Sequence, residues 1–81
     1  MTYRVEFHAA ALAQLKGLPP VAFDALVRRA VALVDEPWDA VALYPDEPEF
    51  RQTFFGRAGL MSFHVDTGTE TIRIFDVTWA G

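Results

Sequence analysis

Apolar and charged residues alternate over Tyr3-Arg4-Val5-Glu6-Phe7, the period of a half-buried strand. The pattern then changes. Ala9 to Lys16 holds acceptable or strong helix formers, and Leu12 and Leu15 share a face. Gly17 offers a helix-ending residue, and Pro19-Pro20 blocks continuation. Pro20 also suits the first turn of a second helix. There Phe23, Leu26, Val27, Ala30, Val31 and Val34 fall on one apolar stripe. Asp24 and Arg28 are placed to pair, acid first, on the wet side. Pro37 ends this helix. Two helices joined by Gly17-Leu18-Pro19 read as an antiparallel helical hairpin.

From Trp38 to Glu49 the pattern dissolves, and Pro45, Asp46, Glu47, Pro48 and Glu49 mark a turn-rich acidic loop. Strand periodicity then returns. Phe50 to Phe55 is one strand, with Gly56-Arg57-Ala58-Gly59 as its turn. Leu60 to Asp66 is the next, where Met61, Phe63 and Val65 alternate against Ser62 and His64. After the turn Thr67-Gly68-Thr69, Thr71 to Trp79 is rich in β-branched and aromatic residues. The order is β-α-α-β-β-β, with no internal repeat or linker. The expectation is one α+β domain over residues 1–81, its helical hairpin covering one face of an antiparallel sheet.

Composition narrows the possibilities. At 81 residues the chain is one domain's worth, able to bury only about 60–65% of its unfolded surface. There is no Cys, which excludes disulfides and thiolate metal sites, and two His argue against a His-rich zinc site. No metal or cofactor is expected. A hydrophobic fraction of 52% argues against disorder. No stretch approaches the ~20 apolar residues of a membrane span. Met1 to Phe7 carries Arg4 and Glu6 and does not resemble a signal peptide. A soluble cytoplasmic domain with no membrane partner is the expectation. The net charge of −4 weakens any reading that needs a broad positive surface for nucleic acid, while leaving room for a local basic patch.

If Met61, Phe63 and Val65 face the helices, Ser62 and His64 face away. Arg51 and Thr53, or Asp76 and Thr78, could share that second face from neighbouring strands. One reading is a small site in which Asp76 orients His64 as a base. The blander one, which such alternation supports by itself, is the solvated face of a half-buried sheet. Ser62, His64 and Asp76 do not make a triad, because Ser62 lacks a nucleophile-elbow glycine pattern. His8 fits a packing or capping role at a helix start. Arg28-Arg29 fit a solvated helix face. Asp46, Glu47 and Glu49 lack a calcium-loop pattern and fit a plain acidic loop. Trp38, Tyr44, Phe54, Phe55, Phe75 and Trp79 exceed what one inner face needs. Phe54 and Phe55 must point to opposite faces. Phe75, Val77 and Trp79 share one face of the last strand, and Ile72 and Ile74 take the other. Phe54, Phe55, Phe75 and Trp79 are therefore candidates for a partner's groove or a homodimer patch, against the alternative of core plus scattered exposed rings.

These segments, taken together, resemble the RelE/ParE superfamily of bacterial toxins. The resemblance is carried by Tyr3-Arg4-Val5-Glu6-Phe7, the Ala-rich helix with Leu12 and Leu15, Leu18-Pro19-Pro20, and Asp35-Glu36-Pro37. It continues through Phe50-Arg51, Phe63-His64-Val65-Asp66 and Ile72-Arg73-Ile74-Phe75-Asp76-Val77, nearly the whole chain in order. It implies a compact α+β domain that binds an antitoxin protein. RelE-type members cleave mRNA in the ribosomal A site, and ParE-type members inhibit DNA gyrase. Of the cations that the ribonuclease branch uses, the first would fall on Arg51. The others would fall on Thr53, near Leu60, and near Trp79 or Ala80, none of them basic. The catalytic aromatic or His beyond the last strand has no counterpart. Arg57 and Arg73 are possible substitutes, so Arg51, His64, Arg57 and Arg73 form the candidate catalytic set. Attack of a ribose hydroxyl on phosphate needs a base, an acid and stabilising cations, and losing one such contact costs roughly 3–4 kcal/mol. The resemblance therefore favours a toxin-like component acting mainly through protein binding, to an antitoxin and a gyrase-type target. Its rivals are a ribosome-dependent endoribonuclease with a rearranged site and a non-toxic homodimeric module.

Overall fold

A computed structural model describes residues 3–81. The elements run β1 (Arg4–Phe7), α1 (Ala9–Leu15), α2 (Pro20–Asp35), β2 (Val41–Tyr44), β3 (Glu47–Phe55), β4 (Gly59–Asp66) and β5 (Thr71–Trp79). Five strands form one sheet in the order β1-β5-β4-β3-β2. β1 lies parallel to β5, and the other pairs are antiparallel, so the sheet is mixed.

The order expected from the sequence is present, with one addition. β2 occupies part of the stretch read as an acidic loop, and β3 begins at Glu47 rather than Phe50. Val41-Ala42-Leu43-Tyr44 has no alternation of its own. It is strand because β3 offers it a ladder, with Val41 opposite Gln52 and Ala42 opposite Arg51.

One face of the sheet carries the core. Met61, Phe63, Val65, Ile72, Ile74 and Val77 are buried there against Ala11, Ala22, Leu26 and Leu33 of the helices. α2 buries Ala22, Leu26, Ala30 and Leu33, a stripe rotated from the expected one. Phe23, Val27 and Val31 stay exposed along its flank. The expected Asp24–Arg28 pair is absent from the ion pairs of the described residues.

Arg29 of α2 instead donates from Nε to Thr53 Oγ1 at 2.9 Å and reaches the Asp39 carboxylate at 3.4 Å and the Asp39 carbonyl. This ties the connection after α2 to the sheet. α1 closes the part of the β5 edge that short β1 leaves uncovered. Gln14 Oε1 accepts from the Val77 backbone N–H at 2.8 Å, and Gln14 Nε2 donates to Asp76 Oδ1 at 3.2 Å.

Two glycines are required by geometry. Gly56 has φ of 60° in the β3–β4 turn. At Gly59 a Cβ would stand 2.4 Å from the Phe55 ring, which lies over it.

Candidate functional site

The other face of the sheet carries no helix, and its strand registers decide what gathers on it. On β4, Ser62 and His64 point away from the core, as alternation requires. On β3, Phe50 lies opposite His64 and Gln52 opposite Ser62, so these residues share the open face. Arg51 and Thr53 lie opposite core residues Phe63 and Met61, so they point to the helix side. The polar group of Arg51, Thr53, Ser62, His64, Asp76 and Thr78 is therefore split by one residue of register.

β5 contains an irregularity. Asp76 pairs with Ser62 while Ile74 pairs with Phe63, leaving Phe75 as the extra residue. The slip keeps Phe75 beside Arg73 on the open face and returns Val77 to the core and Trp79 to its margin. Phe75, Val77 and Trp79 therefore do not share a face. Asp76 accepts from Gln14 and stands across from Ser62, while His64 stands across from Arg73.

The resulting depression has a volume of about 510 Å³ and is lined by His8, Tyr44, Glu47, Phe50, His64, Arg73 and Phe75. Its rings meet at steep angles. Tyr44 and Phe50 are edge-on at 5.7 Å, Phe50 and Phe75 at 6.1 Å, and Phe50 tilts against the His64 ring at 4.8 Å. Arg73 is held by acids, with Nη1 donating to Asp66 Oδ2 at 3.0 Å and Nε standing 3.5 Å from Glu6 Oε1. The Arg73 guanidinium, followed by the Thr69 backbone N–H, draws the Asp66 carboxyl down to about 2. The same partnership raises the affinity of Arg73 for its own proton.

The candidate catalytic set does not converge. His64 and Arg73 line one pocket. Arg51 donates to the carbonyls of Pro48 at 2.9 Å, Trp38 at 3.5 Å and Ala40, and lies over the Trp38 ring at 5.4 Å. Arg57 sits in the β3–β4 turn, at the far end of β4 from His64. Of the candidate partner residues, Phe55 is 2% exposed and stacks on half-buried Trp79 at 6.4 Å. Both pack with the core, whereas Phe54 is 74% exposed and Phe75 lines the pocket. Tyr44 and Glu47 were not singled out for this site by the sequence, because β2 and the start of β3 were hidden in a loop; Phe50 was placed in a strand whose facing the sequence left open. A weak signal existed for His8: it continues the alternation of Arg4 and Glu6 onto the open face.

A second depression, about 290 Å³, runs between the edge strand β1 and α2. Val5, Phe7, Leu26, Val27, Ala30, Val31 and Val34 line it, all apolar.

No family model and no curated protein sequence matches the chain. Solved structures do. The toxin–antitoxin complex RelBE2 from Mycobacterium tuberculosis aligns over 99% of this chain and 100% of that one, at 23% identity and a TM-score of 0.86. A variant of the Escherichia coli toxin RelE in the free state aligns over 99% and 85%, at 16% identity and a TM-score of 0.85. The archaeal RelE–RelB complex from Pyrococcus horikoshii aligns over 100% and 98%, at 18% identity and a TM-score of 0.73. The chain has the RelE fold.

On this RelE fold the open face is poor in available positive charge. Arg73 is shared by two carboxylates and Arg4 pairs with Glu6 at 3.2 Å, while on the helix side Arg29 and Arg51 hold the connection after α2. Among the described residues no group of three or more His, Asp or Glu side chains is placed to hold a metal ion. Among the described residues no helix is long and apolar enough to cross a membrane.

Proposed function

We propose that this chain is the toxin-like component of a toxin–antitoxin pair and acts through protein binding rather than RNA cleavage. The likeness in fold to RelBE2, solved as a toxin–antitoxin complex, and to the archaeal RelE–RelB complex supports an antitoxin partner. The observation that carries the second half is the engagement of the cations. A developing phosphorane needs positive groups aimed at it and free to meet it. Arg73, the guanidinium lining the pocket, already faces Asp66 and Glu6. Arg51 faces backbone carbonyls on the other side of the sheet.

The apolar groove between β1 and α2 suits an antitoxin segment. β1 is an edge strand with one backbone edge unpaired, and the adjoining groove offers apolar side chains a place to bury. Val27 and Val31 are 41% and 63% exposed, so both tolerate polar replacement without disturbing the core. The test is co-expression of the chain with a candidate antitoxin. The wild type co-purifies with that antitoxin. The Val27→Glu, Val31→Glu double variant remains folded by circular dichroism and loses the antitoxin. Undiminished co-purification of the double variant would place the antitoxin elsewhere.

A further inference from the structure

We infer that the open-face pocket receives an arginine side chain from a partner polypeptide. The inference rests on the protein-binding reading and names the chemistry of the contact. Three observations carry it. The first is shape: Tyr44, Phe50 and Phe75 present rings at steep mutual angles, so ring faces and edges line several walls of one depression. Such a box accepts a flat cation against its ring faces.

The second is charge. Glu6, Glu47 and Asp66 stand at or beside the pocket against the guanidiniums of Arg73 and of Arg4, which pairs with Glu6, three carboxylates to two cations. Asp66 and Glu6 are occupied by Arg73, whereas Glu47 has no ion-pair partner among the described residues. The third is the comparison of possible guests. A phosphate would meet a net negative rim. A neutral apolar side chain would cover Glu47 and desolvate it without offering a partner. An arginine lays its guanidinium on the rings, gives Glu47 a bidentate donor and is more weakly hydrated than lysine.

The test uses the full chain, isotopically labelled, titrated by NMR with three probes. These are a capped Gly-Arg-Gly peptide, the same peptide with citrulline in place of arginine, and uridine 5′-monophosphate. Citrulline keeps the shape and removes the charge. The arginine peptide is expected to shift the amide signals of Phe50, His64 and Phe75, and to bind about fivefold or more tighter than its citrulline counterpart. Glu47→Gln is expected to reduce that preference towards unity, and Phe75→Leu to weaken the arginine peptide itself. Equal binding of the two peptides would overturn the inference. So would tighter binding of the nucleotide, or the absence of pocket shifts at millimolar arginine peptide. No antitoxin enters this experiment, so its failure is separable from failure of the toxin–antitoxin reading.

Discussion

At the scale of single residues, two of the three arginines that the sequence offered for catalysis, Arg51 and Arg73, have taken different work. Arg51 carries the connection between α2 and β2 by holding the carbonyls of Trp38, Ala40 and Pro48. Arg51→Ala should therefore lower stability by about 2 kcal/mol, the scale of charge-assisted hydrogen bonds, as read by urea unfolding. A purely catalytic Arg51 would leave the unfolding midpoint unchanged. Its facing could not be read from the sequence. Phe50, Phe54 and Phe55 flank it, and a strand with aromatics on both faces has no alternation to fix its register. Arg73 is tied to Asp66, and this gives a pH signature. The Asp66 carboxyl is lowered from 3.8 to about 2, so it favours the folded state above pH ~4, and that contribution is lost as pH falls through about 2. Asp66→Asn never has the contribution. The thermal midpoint of the wild type should exceed that of Asp66→Asn at pH 6, and the gap should close on acidification between pH ~4 and ~2. A gap independent of pH would remove the ion pair from the explanation.

At the scale of elements, the sequence located what periodicity marks and missed what pairing creates. The helices and the β4 and β5 strands carry their own period, and each appears near its expected bounds. β2 is short, unalternating and followed by Pro45 and Asp46; only its ladder with β3 makes it a strand. The irregularity at Phe75 was equally hidden, because a bulge is set by the partner strand and not by local composition. That single extra residue moved Trp79 to the core margin and left Phe75 with the pocket, which is why the expected partner patch divided. The β3–β4 hairpin has a checkable feature of its own. The Phe55 ring covers Gly59 in the space a methyl would need. Gly59→Ala should destabilise by about 1–3 kcal/mol through overpacking, visible as a lowered urea midpoint. If the midpoint holds, the ring is free to swing aside and does not fix the hairpin.

At the scale of the whole molecule, one sheet has two dissimilar faces. The helix side is a continuous apolar core, and this much was legible, since Met61, Phe63, Val65, Leu26 and their neighbours announce it by spacing. The open side combines a ring-lined depression with bound cations, and this was not legible, because it depends on three registers at once. The net charge of −4 supplies no long-range attraction for a polyanion. The RelE fold is retained while Arg73 is engaged by carboxylates and Arg51 by backbone carbonyls, and apolar surface lies open beside β1 and α2. The most direct measurement is the integrity of a defined mRNA in a purified translation reaction to which the pure chain is added at a concentration equal to the ribosomes. Intact message is expected, with translation products of full length. Codon-dependent cleavage that disappears in an Arg51→Ala, His64→Ala double variant would contradict the central claim and restore a ribonuclease site.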